Sequence, residues 1–356
     1  MATKSTTALE TPLREQLDRL ASFEAGTGSV ISLYIDLRPD QTGQRAPLET
    51  FLRNSVDEQG RSLGAEQRAE FDRAAERILQ YVRESLPKSA TAAAIFASIA
   101  GDFFEAIPLD VPIEQPSMHV APVPQLYPLA RLNDQYPRYA ALLLDTNSAE
   151  LYVFALGAKL RRETVQNEKT RSTKMGGWSQ ARYQRRAQNF HKQHMKEVVS
   201  LLEKVVADEH LNHIVVACDE VAKPYLTAQL PKHLAEKVID MVNVDVKSIA
   251  EHDLLAETMD ALRRKDAETD AEHVQRMTDA WRAGGLAVAG IEATTRALDM
   301  RQVEELLIAA RPDRVTGPAD ELVAKAQQNA ARIRFIEDEN LLADVGGVGA
   351  LLRFKI

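Results

Sequence analysis

Cysteine occurs once in the 356 residues, at Cys218, so the chain can build neither an internal disulfide framework nor a cysteine-ligated zinc site. That scarcity suits a reducing compartment. No apolar run approaches the roughly 20 residues that a membrane helix needs. The stretch from Met1 to Leu13 is polar and lacks the apolar centre of a secretory signal. The expectation is a soluble, cytoplasmic protein with no membrane partner. Basic residues are in the minority, 44 Lys and Arg against 52 Asp and Glu, for a net charge of −8. Spread evenly, that charge would argue against a nucleic-acid partner. Neither tandem repeats nor low-complexity tracts are present. The apolar fraction of 45% and charged fraction of 27% are ordinary for a globular chain. The length corresponds to two or three domains of roughly 100–200 residues each.

The charge is not spread evenly. Between Lys159 and Lys196 there are eleven Lys and Arg against Glu163 and Glu168, a local +9 that leaves about −17 on the remainder. This segment has almost no aliphatic periodicity from Arg161 to Ala181, which predicts an exposed loop. Inside it lies Lys174-Met-Gly176-Gly177-Trp178-Ser179-Gln180-Ala-Arg182-Tyr183-Gln-Arg185-Arg186. Adjacent glycines allow close backbone approach, the cations attract phosphate, and Trp178 and Tyr183 offer faces on which bases stack. Lys174, Gly176, Gly177, Trp178, Ser179, Gln180, Arg182, Tyr183, Arg185 and Arg186 are therefore the candidate RNA-binding residues. A solvated basic loop with a glycine turn is the bland alternative.

Around this segment the pattern is α/β. Val30–Asp36, Thr91–Ser98, Phe103–Leu109 and Met118–Val123 read as strands, and Leu48–Leu63 and Ala65–Leu86 as helices. Tyr139–Asp145 and Ala149–Leu156 read as a hairpin. From Phe190 a helical apolar face begins, with Val198, Leu201, Leu202 and Val205. His213–Cys218 reads as a buried strand and Leu226–Met241 as a helix. The expected architecture is three domains: an N-terminal α/β domain over 1–132, an RNase-H-like middle domain over 133–262, and a C-terminal α/β sandwich over 263–356. In the last, a helix is expected around Leu286–Leu298, strands at Val303–Ala309 and Arg332–Glu337, a helix at Asp320–Ala330, and a strand after Gly346-Gly347-Val348-Gly349.

Other chemistry is weakly signalled. Asp145, Glu150 and Asp219 sit at strand ends, where clustered carboxylates could hold Mg²⁺ for nuclease chemistry, although such acids are more often turn formers or helix caps. His191 and His194, three apart, lack a third ligand, so RNA contact or solvent exposure is expected of them rather than metal. Cys218 reads as an inert core thiol. No metal or other cofactor is expected.

The Gly176-Gly177 loop, between a hairpin and a long helix, resembles the Gly-Gly-Gln loop of archaeal and eukaryotic class-one release factors and their bacterial relatives. A second signature supports the resemblance. Gly285 to Ile308 is similar to the glycine-bounded helix and following strand of release factors and Pelota, and Gly346 to Phe354 is similar to that family's closing glycine-rich strand. The resemblance covers about residues 135–356 and is strongest with the bacterial branch, which includes ribosome hibernation factors. It implies a three-domain, Pelota-like protein that occupies the ribosomal A site against 16S and 23S rRNA. The N-terminal domain would lie at the decoding centre and the middle-domain loop at the peptidyl transferase centre. The C-terminal domain would dock a translational GTPase such as elongation factor Tu. DNA is not an expected partner.

The chain departs from the family pattern where Trp178 holds the third position of the glycine motif. An indole has one donor and accepts no hydrogen bond from water. The implied function is protection of idle ribosomes under stress, without catalysis. Peptidyl-tRNA hydrolysis with Gln180 as the water-positioning residue is the alternative. No codon-reading motif is found in residues 1–132.

Overall fold

The fold was described from a computed structural model, which covers residues 13–23, 28–38, 48–61, 63–113, 115–156, 158–166, 178–311, 315 and 319–355, with backbone alone at 49, 65, 66, 166 and 178–187. It is mixed α/β with three separate sheets.

The N-terminal part runs α1 (Leu13–Ala21), β1 (Val30–Asp36), α2 (Leu48–Gly60), α3 (Ala65–Glu84), β2 (Ala92–Ser98), β3 (Phe104–Leu109), β4 (Ser117–Ala121) and α4 (Tyr127–Gln135). Its strands form an antiparallel sheet in the order β3-β2-β1-β4. Ile31, Leu33 and Ile35 of β1 pack with Phe71, Ala75 and Ile78 of α3. Alternate residues Val30, Ser32 and Tyr34 are buried as well. Burial on both faces explains why β1 reads as a continuous apolar run and not as an alternation.

The middle part runs β5 (Tyr139–Leu144), β6 (Ser148–Ala155), β7 (Ala158–Gln166), α5 (Trp178–Asp208), β8 (His213–Cys218), α6 (Ala222–Thr227), α7 (Lys232–Ala235), β9 (Val238–Asn243) and α8 (Glu251–Arg282). The sheet order is β7-β6-β5-β8-β9, an antiparallel meander followed by two parallel crossover strands. One face, with Leu142, Leu151, Val153 and Val216, packs on Val198, Leu202 and Val205 of α5. The other face, with Tyr139, Leu143 and Phe154, packs on Leu254, Met259 and Leu262 of α8. A buried bond ties that second layer: Thr258 Oγ1 donates to the Leu254 carbonyl at 2.7 Å, so the Tyr139 hydroxyl donates to Thr258 Oγ1 at 2.8 Å.

The C-terminal part contains β10 (Ala287–Ala289), α9 (Ile291–Asp299), β11 (Val303–Ala309), α10 (Ala319–Gln328), β12 (Arg332–Ile336), a 3-10 turn over Glu339–Val345, and β13 (Val348–Leu352). Its sheet order is β10-β13-β11-β12, with only β11 and β12 parallel. The closing glycine pair has a backbone reason. Gly346 and Gly347 have φ of 70° and 80°, the left-handed region in which a Cβ is costly, and they turn the chain from the 3-10 turn into β13.

By compactness the chain forms two units, one of Met1–Gln135 with Thr269–Ile356 and the other of Tyr136–Glu268. Within the first, α1 and α4 both pack against α10, which joins the N-terminal and C-terminal sheets.

Three sequence-based expectations are corrected. The segment 159–196 is not one loop: Ala158–Gln166 is the third strand of the meander, and Trp178–Asp208 is a single helix of 31 residues. Periodicity misses the first turns of α5, but Gln, Ala and Arg dominate them, and these are strong helix formers. Leu226–Met241 is not a helix. Pro231 ends the helical course, because it cannot donate to the preceding turn, and Val238-Ile-Asp-Met-Val is a β-branched strand. The helix expected around Leu286 begins only at Ile291, after Gly290 at φ 82° and the short strand β10.

Candidate nucleic-acid interface

The segment carrying the candidate residues leaves the middle sheet at β7 and returns as α5. At the β7 end the cations are matched by acids. Lys159 Nζ lies 2.6 Å from Glu251, Arg161 lies 3.0 Å from both Glu163 and Glu209, and Arg162 Nη2 donates to Glu150 at 2.7 Å. Arg162 also lies over the Tyr152 ring at 5.6 Å. These cations brace the edge of the sheet. The remainder, residues 167–196, holds Lys169, Arg171, Lys174, Arg182, Arg185, Arg186, Lys192 and Lys196 against Glu168 alone. The local excess of positive charge therefore belongs to the glycine motif and helix α5, and not to β7.

Lys174, Gly176 and Gly177 lie outside the described residues. Trp178 is the first residue of α5 and Ser179 and Gln180 follow in its first turn. Arg182, Tyr183, Arg185 and Arg186 occupy its next turns. Positions 182, 185 and 186 stand in the i, i+3, i+4 relation that shares one side of a helix.

Farther along, the helix is rooted in the domain. His191 Nδ1 lies 2.9 Å from the Thr146 carbonyl oxygen, and the ring is 5.5 Å from that of Tyr225. His194 is completely buried and hydrogen-bonds the backbone of Ser148. Burial pushes its imidazole below the ordinary range, and that bond together with Asp145 and Glu197 offsets the effect only in part. The expectation of RNA contact or solvent exposure is thus corrected for His194, whereas His191 is half-buried. The sequence held the signal, since His194, Val198, Leu202 and Val205 share the apolar side of α5. The partners Thr146, Ser148 and Tyr225 carried no signal of their own.

The strand-end carboxylates take structural roles. Asp145 Oδ1 accepts from the backbone N–H groups of Asn147 and Ser148, both at 2.6 Å, closing the β5–β6 turn. Asp219 Oδ1 accepts from Ala222 N at 2.7 Å at the start of α6. Glu150 accepts from the Tyr152 hydroxyl and from Arg162. Burial alone would raise its carboxyl, and these bonds outweigh that effect and hold it below the usual range. Among the described residues no group of three His, Cys, Asp or Glu side chains could hold a metal ion. Cys218 is buried, and burial raises its thiol. An open cleft of about 360 Å³ lies beside Tyr152, Arg162, Lys247 and Glu251. Within the described residues no helix is long and apolar enough to cross a membrane.

Residues 124–263 match the family model of bacterial archaeo-eukaryotic release factor family 10. The match runs from just before α4 into α8 and includes the glycine motif and all of α5. No curated protein matches the chain. Among solved structures the chain is similar to an archaeal translation termination factor, aRF1, at 19% identity, covering 96% of this chain and 97% of that one, with a TM-score of 0.27. It is also similar to Archaeoglobus fulgidus Pelota, at 15% identity over 76% and 82% of the two chains, TM-score 0.35. A third likeness is to a model of ribosome-bound archaeal Pelota with ABCE1, at 14% identity over 97% and 95%, TM-score 0.43.

Proposed function

We propose that this chain is a ribosome-binding factor that occupies the A site and protects idle ribosomes. The observation that carries this reading is the position of the glycine motif. It lies within the stretch that matches the release-factor family model, precedes a 31-residue helix rooted in the middle sheet's core, and lies in a stretch with eight cations against one acid. Such a segment supplies phosphate affinity, while the acidic remainder limits indiscriminate RNA binding. Trp178, following Gly176-Gly177, is the residue that meets the peptidyl transferase centre and fills it. Ribosomal RNA is the partner, and the setting is the cytoplasm. The C-terminal part is where a translational GTPase such as elongation factor Tu would dock.

Co-sedimentation with purified ribosomes over a salt series tests the reading. Neutralising Arg182, Arg185 and Arg186 together is expected to weaken binding and to reduce the slope of log affinity against log salt by up to about 3. Binding that is unchanged in the triple variant removes the reading. Peptide release from stalled complexes by the wild type, lost in Gln180→Ala, would replace protection with peptidyl-tRNA hydrolysis.

A further inference from the structure

Helix α5 joins the basic segment to the core of the middle domain through two histidines one turn apart. His191 donates from Nδ1 to the carbonyl of Thr146, and its ring lies 6.0 Å from that of Phe190 and 5.5 Å from that of Tyr225, centroid to centroid. His194, fully buried, hydrogen-bonds the backbone of Ser148 two residues farther on in the same turn. That turn is itself closed: Asp145 Oδ1 accepts from Asn147 N and Ser148 N, and Asp145 N donates back to the Ser148 carbonyl at 2.9 Å. The acceptors that the histidines reach are therefore fixed before the helix arrives. On the other sides of the same helical turn, Lys192, Gln193, Lys196 and Glu197 are exposed.

We propose that His191 and His194 are positioning residues which clamp the root of α5 to the β5–β6 turn, and so set the direction in which the basic segment meets ribosomal RNA. The RNA half of this inference rests on the ribosome-binding reading above, whereas the clamp does not. Apolar side chains at 191 and 194 would fill the space, but only directed bonds to two backbone groups fix the helix against rotation and sliding. Both bonds lie at the last turn of α5 before its apolar face enters the core at Met195 and Val198. A small angular change there is multiplied along the dozen residues that lead back to Trp178.

The clamp is also sensitive to pH. The charged and titratable groups around His194 are Asp145 on the turn and Glu197 and His191 on α5 itself, with Tyr225 of α6 beyond His191. Burial favours the neutral ring. The unfolded chain takes up the proton near the ordinary histidine value of about 6.5, where the native ring resists it. The unfolded state therefore binds more protons in that window, and the root weakens as pH falls below about 6.5.

The test uses the full chain. Amide hydrogen exchange over Gln188–Met195 and the rate of dissociation from purified ribosomes would be followed in wild type, His191→Ala, His194→Leu and His191→Asn. In the first two variants exchange in this window and dissociation should both accelerate by about tenfold, with the rest of the middle domain exchanging as before. The salt slope should stay unchanged, because the phosphate contacts are kept. His191→Asn, whose amide can still donate to Thr146, should recover most of the loss. Lowering the pH from about 7.5 to about 5.5 should move wild type toward His194→Leu and leave that variant unmoved. Unchanged exchange in both variants overturns the clamp, as does acceleration spread evenly over the whole middle domain. Faster local exchange in a wild-type background that does not bind ribosomes overturns only the RNA half and assigns that failure to the ribosome reading.

Discussion

The backbone N–H of Tyr127 donates to Oδ1 of Asp320 at 3.0 Å, and the side-chain amide of Gln125 donates to the other carboxylate oxygen at 3.1 Å. Gln125 is held from the opposite direction, since its N–H donates to Ser32 Oγ at 2.9 Å and its carbonyl accepts the Tyr34 hydroxyl. One carboxylate at the start of α10 thus fastens the segment entering α4 and, through it, strand β1. Asp320→Ala would leave two donors without an acceptor inside the protein, at a cost of about 1–3 kcal/mol for each one that water cannot reach. Urea denaturation should show one lower transition for the N-terminal and C-terminal parts together. Two separated transitions would mean that they do not unfold as a unit.

Asp320 also carries a pH signature. Burial raises its carboxyl above the usual range despite the bonds from Tyr127 and Gln125 and the nearby His119. In the window between the unfolded value, about 3.9, and the raised native value, the native state holds more protons than the unfolded chain. This group's contribution therefore falls as pH rises through that window and stays reduced above it. Asp320→Asn should abolish the contribution. The difference in stability between wild type and Asp320→Asn, measured from about pH 4 upward, should change in favour of the variant as pH rises. A flat difference would contradict the assignment.

The C-terminal half of α8 is held by charge as well as by apolar contact. Glu305 on β11 is only 2% exposed, and it accepts from His273 Nδ1 at 2.7 Å and Arg276 Nη2 at 3.2 Å, with Arg334 at 3.5 Å. Arg334 in turn donates to Asp270 at 3.1 Å. Without Glu305, Arg334 keeps Asp270 as its partner and the exposed Arg276 is served by water, while His273 Nδ1 loses its acceptor. Glu305→Ala should therefore cost about 1–3 kcal/mol, read as a fall in denaturation midpoint with the slope retained. A loss below about 1 kcal/mol would show that water reaches the group.

Where a continuous apolar run or a helical stripe carries the fold, the sequence is readable, and β1, β5, β6, β8 and β11 lie within a residue or two of their expected places. It fails where an element is held by something other than its own apolar pattern. β7 is a charged edge strand, and its place comes from pairing with β6 and from the acids opposite Lys159, Arg161 and Arg162. The first turns of α5 have no apolar face to read. The candidate site shows in the sequence only as composition, in the cations and the glycine pair, and the partners of its histidine root do not show at all. Thr146 and Ser148 act through backbone atoms, which any residue could supply. The Glu305 cluster is hidden for a different reason: its members come from α8, β11 and β12 and meet only after folding.

Gly349 tests the close approach of β13 to α8. A Cβ there would come within 2.8 Å of Met277 Cε and 3.1 Å of the Val288 carbonyl oxygen. The methionine can swing aside, but the carbonyl belongs to the paired strand β10 and cannot. Gly349→Ala should lower stability by about 1–3 kcal/mol. An unchanged melting temperature would mean that β10 and β13 separate at no cost. Met277→Ala in the same background should relieve only the methionine contact, so recovery beyond a fraction of the loss would shift the cause from the strand to the helix.

Trp178 and the arginines of α5 are assigned different kinds of contact, and salt separates the two. A cation that neutralises a phosphate releases counterions, so its removal flattens the dependence of affinity on salt. An indole stacked on a base releases none, and its removal weakens binding equally at every salt concentration. Trp178→Ala is accordingly expected to cost about 1–3 kcal/mol of ribosome affinity with the salt slope unchanged, whereas the Arg182, Arg185 and Arg186 triple variant loses slope. Trp178→Phe should keep much of the affinity, since a ring face is retained. If Trp178→Ala instead flattens the slope, the indole acts by holding a neighbouring cation in place. If it changes neither slope nor affinity, the residue after Gly176-Gly177 does not meet the ribosome, and the protective role assigned to it falls.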